Sequence, residues 1–260
     1  MSDSRDTIQS VERAIDVLTV LGTAAEGLSH TEIAQRTGLH KATTSRILKT
    51  LVKRRFVKQN ADTLRYSLGL AVLELSFDHL SGMDLRRAAL PHLQALQVAT
   101  GETVNLAILD EHDVIYIDRV ESQQMLRTSS TLGKRTPAFC TSLGRAILAF
   151  TDPDLTHAIL RSGRLPKITP HTLTNPIKIE EHLEVIRKTG VALDDRENQE
   201  HVRCIGAPIF DASGHVAGAV SISGPASRVI FDENQVIQVK GTARAISSDL
   251  GWGGKTTPSG

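Results

Sequence analysis

Asp194, Glu197, His201 and Cys204 are spaced three, four and three residues apart, and two kinds of chemistry use such a set. On one helix face, carboxylate, imidazole and thiolate would make a zinc site. Alternatively, Cys204 would act as a nucleophile with His201 as its base, which requires a lowered thiol pKa and an oriented imidazole. Neither is expected here. Cys204 opens a strand-like run that reaches Pro208, so no continuous helix carries all four residues. No nucleophile-elbow motif surrounds the cysteine. There is no Walker loop and no dinucleotide fingerprint, and the piece Gly251-Trp252-Gly253 lies in the tail. We expect no catalysis, no metal and no cofactor; an enzyme with a basic surface is the remote alternative.

A second constellation is electrostatic. Between Arg36 and Arg65 the chain carries nine Lys or Arg residues and one acid, Asp62, whereas the 260-residue chain as a whole has a net charge of +1. Such a local field supplies the sequence-independent part of nucleic-acid affinity. A solvated helix face is the plain alternative, and the local structure signals decide against it.

Those signals come in order. Ile8, Val11, Ile15, Leu18 and Leu21 recur at the spacing of an amphipathic helix. Ser29 and Glu32 fit a capping box that opens a short second helix burying Ile33 and Ala34, and Gly38 closes it. A third helix, roughly His40 to Arg54, turns Ile47, Leu48, Leu51 and Val52 inward. Two strand-like runs, Phe56 to Gln59 and Leu64 to Leu68, flank the turn at Asn60 to Thr63 and form a wing. Helix, turn, basic helix and wing make a winged helix-turn-helix whose third helix enters the major groove. Thr43, Thr44 and Arg46 are the base-reading candidates. Lys41, Lys49, Lys53 and Arg65 are placed on phosphates, with Lys58 within reach of them.

The runs Gln9-Ser10-Val11-Glu12-Arg13-Ala14, Glu32-Ile33-Ala34, Leu39-His40-Lys41-Ala42-Thr43 and Tyr66-Ser67-Leu68-Gly69 resemble the DNA-binding domain of the IclR family of bacterial transcriptional regulators. The likeness extends over roughly residues 7 to 250. It implies a dimer or tetramer that binds operator DNA and answers to a small metabolite.

Leu70 to Leu80 is apolar, with Leu73, Leu75 and Phe77 between, and stops at Ser81-Gly82. The resemblance makes it a linker helix; a core helix of either domain is the other reading. Beyond it, Asp84 can cap a helix carrying Leu85 and Leu93. Strands at Thr103 to Leu109 and Val114 to Val120 are joined by a tight turn. Helices are expected at Leu143 to Phe150, Pro153 to Arg161 and Pro176 to Lys188, the last two capped by Asp152 and Asn175 with Pro at N1. A second hairpin, Val202 to Phe210 and Val216 to Ser223, precedes a helix from Glu233 to Leu250. Hairpins interleaved with helices argue an α+β fold, and the resemblance implies a GAF/PAS-like ligand-binding domain. The expected organisation is a DNA-binding domain over 1–70, a linker over 71–82, an effector domain over 83–250 and a disordered tail over 251–260.

Gly190 to Glu197 and Cys204 to Asp211 resemble the family's C-terminal signature, and Pro137 to Ala146 resembles the segment that opens its effector pocket. The resemblance places effector contacts on Ser142, Leu143, Asp194, Cys204, Ser221 and Ser223. Chemistry supports the same set. Ser142 and Leu143 start a helix, where unpaired N–H groups favour an anion. Ser221 and Ser223 alternate on a strand and face one side. Cys204, Leu132, Val202 and Leu143 give soft or apolar walls, and Asp194 would accept from a ligand hydroxyl or pair with a base. The set suits a small organic acid, although a Cys204 that is only an inert core thiol remains open. His201 and Gly206 stand where the family often has Gly and Ala, and Arg145 where Lys is common.

Two cysteines, Cys140 and Cys204, make no disulfide framework. The polar opening residues lack the apolar core of a signal peptide, and no run approaches the roughly 20 apolar residues that span a bilayer. A cytoplasmic protein without membrane contact is expected. The alternative function is a redox- or metal-sensing DNA-binding regulator using Cys204 and Cys140.

Overall fold

The computed structural model describes residues 7–81, 84–125, 131–163 and 165–254, with side chains 76–81 left aside. The chain divides into two compact units, Met1–Gly82 and Met83–Gly260.

In the first unit, α1 (Gln9–Gly22), α2 (His30–Thr37) and α3 (Lys41–Lys53) precede a two-stranded sheet of β1 (Val57–Gln59) and β2 (Tyr66–Leu68), then α4 (Leu70–Ser81). The capping box closes as expected: the Ser29 hydroxyl accepts from Glu32 N, and Ser29 N donates to the Glu32 carboxylate at 2.7 Å. Gly38 ends α2 at φ 69°, a left-handed stop that costs a glycine little. The core is Val17, Leu21, Leu28, Ile33, Leu48, Leu51 and Val57.

Two helix faces differ from expectation. Of the α1 stripe, Leu21 is buried as expected, but Val11 and Ile15 are exposed at 52% and 56%, as is the N-cap Ile8 at 68%, because Val17 and Leu21 dock the helix. On α3 the inward face is Thr44, Leu48 and Leu51, at spacings of four and three, and Val52 is exposed. Leu70, Leu73 and Leu75 of α4 are exposed as well. Phe77, Leu80 and Gly82 lie outside the residues, or side chains, described.

The second unit is a six-stranded antiparallel sheet in the order β5-β4-β3-β8-β7-β6: β3 (Thr103–Asp110), β4 (Asp113–Val120), β5 (Arg135–Pro137), β6 (Ala192–Asp195), β7 (Val202–Phe210) and β8 (Val216–Pro225). Its helices are α5 (Asp84–Thr100), α6 (Ser142–Leu148), α7 (Pro153–Arg161), α8 (Pro176–Thr189) and α9 (Glu233–Asp249). Asp152 and Asn175 cap α7 and α8 with Pro at the first turn. Strand alternation sorts the sheet. Ala107, Ala192 and Ala219 share a core with Leu143 and Ala146 of α6 and Leu183 of α8. Buried residues between them on the strands, such as Leu106, Val220 and Ile222, turn to the opposite face, where α5 and α9 pack. The fold is therefore α+β, a winged helix-turn-helix followed by a curled antiparallel sheet with its helices.

Two short edge strands, β5 and β6, were not legible in the sequence. The tail expectation is corrected for Trp252, whose ring stacks on Phe210 at 5.0 Å and whose backbone N–H donates to Ser247 O at 2.9 Å, because a large aromatic surface finds an apolar partner there. Residues 255–260 lie outside the described residues.

Candidate functional site

The basic helix comes first. On α3, Lys41, Arg46, Lys49 and Lys53 are exposed and Thr43 is half-buried. Thr43, Arg46 and Lys53 recur at three and seven, along one side of the helix. One of the seven expected DNA contacts, Thr44, is corrected, and a second, Arg65, has partners within the unit. Thr44 is fully buried, with its hydroxyl donating to His40 O at 3.3 Å, so it packs the helix and cannot meet a base edge. Arg65 is committed within the unit: its guanidinium donates twice to Gly27 O, at 3.1 and 3.0 Å, and pairs with Glu32 at 3.2 Å. It thereby fastens the wing to the capping residue of α2. Leu28 and Tyr66 add a two-bond bridge between the same segments, at 2.8 and 2.7 Å.

In the second unit, all six effector candidates line one cavity. Ser142 and Leu143 start α6, Asp194 is on β6, Cys204 on β7, and Ser221 and Ser223 on β8. Register brings the strands together: Asp194 pairs with Cys204, and Cys204 with Ser223. Sequence reasoning missed Asn105, Tyr116, Thr141, Asn198 and Gln199, which line it too. Asn105 had a signal, being a polar residue in an apolar strand; its amide donates to Ser223 Oγ at 3.0 Å. Tyr116 and the loop residues 198 and 199 had none. Val202 lines the cavity as expected, but Leu132 is half-exposed and is not part of it.

The start of α6 is built for this position. Thr141 caps it by accepting from Gly144 N at 3.0 Å, leaving Ser142 and Leu143 in the first turn. Gly144 packs against the turn before it, where an added Cβ would fall 2.1 Å from Ala138 O. At Gly206 an added Cβ would fall 2.8 Å from Ser142 O, so the missing methyl lets α6 approach β7.

Beside the cavity, Arg145 and Glu197 form a buried bidentate pair at 2.5 and 2.7 Å, and Arg145 Nε donates to Phe139 O at 2.7 Å. Glu197 also accepts from Leu173 N at 2.8 Å, while Thr169 and Thr172 hold its carbonyl. Asp194 accepts from Glu197 N at 2.8 Å and is 2% exposed. Burial, reinforced by the Glu197 charge, pushes the Asp194 carboxyl up to about 7, against the opposing pull of backbone N–H groups and Arg145. Burial likewise raises the Cys140 thiol to about 12, the Cys204 thiol well above its usual value, and the Tyr116 phenol. Neither cysteine is therefore activated as a thiolate, which disfavours redox sensing. Among the described residues, no group of three or more His, Cys, Asp or Glu side chains could hold a metal ion.

The cavity is about 20 Å³, room for one water-sized sphere. A larger groove of about 730 Å³ runs along Leu85, Ile108, Phe150 and His215, but it lacks the buried convergent hydroxyls and carboxyl of the smaller site. Within the described residues no helix is long and apolar enough to cross a membrane.

Comparison with known proteins places both regions. Residues 77–248 match the family model described as bacterial transcriptional regulator IclR C-terminal, and residues 10–61 match the IclR helix-turn-helix domain. The chain is 33% identical over 249 residues to the HTH-type transcriptional regulator KdgR of Escherichia coli, covering 95% of this chain and 94% of that protein. The crystal structure of Thermotoga maritima IclR superposes with a TM-score of 0.78 at 32% identity, over 95% of this chain and all of that one. An IclR homolog from Microbacterium hydrocarbonoxydans, crystallised with 4-hydroxybenzoate, shares the fold with a TM-score of 0.84 at 24% identity, over 93% of this chain and 99% of that one.

Proposed function

The chain belongs to the IclR family of bacterial transcriptional regulators, and we propose that it is a non-catalytic, cytoplasmic regulator of a catabolic operon that answers to a small organic acid. The observation that carries this reading is the convergence of Ser142, Leu143, Asp194, Cys204, Ser221 and Ser223, from four elements, on one buried cavity. First-turn N–H groups and paired hydroxyls are donors suited to carboxylate or keto oxygens. At about 20 Å³ the cavity admits the acid only by opening, which gives ligand binding a conformational consequence.

Operator recognition falls to α3. Thr43 and Arg46 read bases, and Lys41, Lys49 and Lys53 hold phosphates. Self-association doubles the reading head. The exposed apolar residues Ile8, Val11 and Ile15 at the start of α1, and Leu70 and Leu73 on α4, are surfaces that a second copy would cover. In the resulting homodimer or homotetramer, two α3 helices address successive major grooves of a palindromic double-stranded operator, about 34 Å apart.

The test is a gel-shift titration with DNA from upstream of the protein's own gene against random competitor at physiological salt. A complex tighter than random by about a thousandfold supports a regulator. Equal affinity for both DNAs would remove operator recognition from the reading.

A further inference from the structure

The chemistry of the cavity wall bears on how an acid enters it. Twelve described residues line the cavity, and none is Lys, Arg or His. The Arg145 guanidinium beside it does not line it and is engaged by two bonds to Glu197 and one to Phe139 O. A carboxylate does line it: Asp194, buried on β6 beside Cys204 and facing the start of α6. Two ionised carboxylates cannot share a buried, cation-free site, because like charges disfavour the second ionisation.

Resting on the acid-effector reading above, we infer that the site binds its acid together with a proton: one oxygen of the effector carboxylate and one of Asp194 share a single hydrogen. Below the Asp194 midpoint the shared proton is the one Asp194 already holds, above it the proton is taken from solvent, and the only new link is the O–H···O hydrogen bond between the two carboxyl groups. Specificity follows. A monocarboxylate is bound as half of an acid pair, and a second carboxylate aimed at the same wall is rejected.

The groups facing Asp194 leave it as the proton site. Glu197, in the following turn, is closed into its pair with Arg145 of α6. Cys204 on β7, Cys140 before α6 and Tyr116 on β4 keep their protons far above neutrality through burial. Burial also brings the Asp194 carboxyl to about 7, so its proton is available under ordinary conditions.

The experiment uses the full chain. Pyruvate, glyoxylate and 4-hydroxybenzoate are screened for a rise in melting temperature at about pH 6. Each binder is then titrated calorimetrically from about pH 6 to 8.5 in two buffers of different ionisation heat. Uptake that is small near pH 6, where Asp194 already holds the proton, and approaches one per site by about pH 8.5, with Kd weakening roughly tenfold per pH unit above neutrality, is expected. Asp194→Asn should bind with no uptake and a flat pH profile. Tight binding by the wild type with no uptake and a flat profile would overturn the inference and mean that a cation from outside this lining meets the acid.

A ligand-free arm guards against a variant that does not fold. Carboxyl ¹³C shifts of aspartate-labelled wild type should show one buried group with a midpoint near 7. A midpoint below about 5 for every aspartate would overturn the inference regardless of the ligand. If no acid binds at any pH while that midpoint stands near 7, the acid-effector reading fails, and this inference with it, leaving the titration as a property of the cavity.

Discussion

The Arg145 guanidinium and the Glu197 carboxylate meet in a parallel two-bond pair, with side-chain exposures of 1% and 9%. The pair ties the first turns of α6 to the loop after β6, the two segments that bracket the cavity.

Breaking that pair strands a buried charge. Arg145→Ala or Glu197→Ala should each lower stability by about 3–5 kcal/mol, read as a fall in the urea midpoint at neutral pH. Arg145→Met with Glu197→Leu, which removes both charges, should recover much of the loss. A double variant as unstable as the worse single one would show that the pair does more than neutralise itself.

Asp194 gives the protein a pH-dependent stability of definite sign. Its folded carboxyl is raised from 3.8 to about 7, so the folded state holds a proton that the unfolded chain has released. Stability should therefore fall as pH rises from about 4 to about 7 and then level off, by roughly 2–4 kcal/mol in all. Asp194→Asn should lack this decline and overtake the wild type at pH 8. Parallel melting curves for the two proteins across that range would contradict the assignment.

At Gly206 the lost methyl sets how closely α6 approaches β7. Gly206→Ala would bring a Cβ within 2.8 Å of Ser142 O, and the helix start must give. We expect a loss of about 1–3 kcal/mol and weakened acid binding, with operator affinity in the absence of acid unchanged. An unaltered acid response would mean that the α6 start does not touch the ligand.

On α3, Arg46→Ala should relax sequence preference, whereas Lys53→Ala should weaken operator and random DNA about equally and lower the salt slope by about one. Gel shifts over a salt series separate the two. Equal losses on both DNAs for both variants would refute the division into reader and holder.

Much of this was legible in the chain because the signals are local. Ser29, Glu32 and Gly38 announce α2 through backbone chemistry alone, and Asp152 and Asn175 with their prolines do the same for α7 and α8. What escaped is set by tertiary contact. Thr44 looks like a reader until Leu48 and Leu51 fix which face of α3 packs, and the bonds of Arg65 to Gly27 O and Glu32 have no signal in the sequence. Strands of three and four residues, such as β5 and β6, are too short to show a period. The cavity's Tyr116 and Asn198 arrive from positions with no motif, brought in by sheet order and by the turn after β6.

The central claim is that one ligand cavity governs one DNA-reading helix. It is tested most directly by fluorescence anisotropy of labelled upstream DNA, with and without the acid that raises the melting temperature, for wild type and for the Ser221→Ala, Ser223→Ala double variant. The account predicts an acid-induced change in wild-type operator affinity of about 5- to 150-fold, strongly reduced in the variant, with random DNA unaffected. An acid that binds but leaves operator affinity unchanged, or shifts operator and random DNA alike, would contradict it.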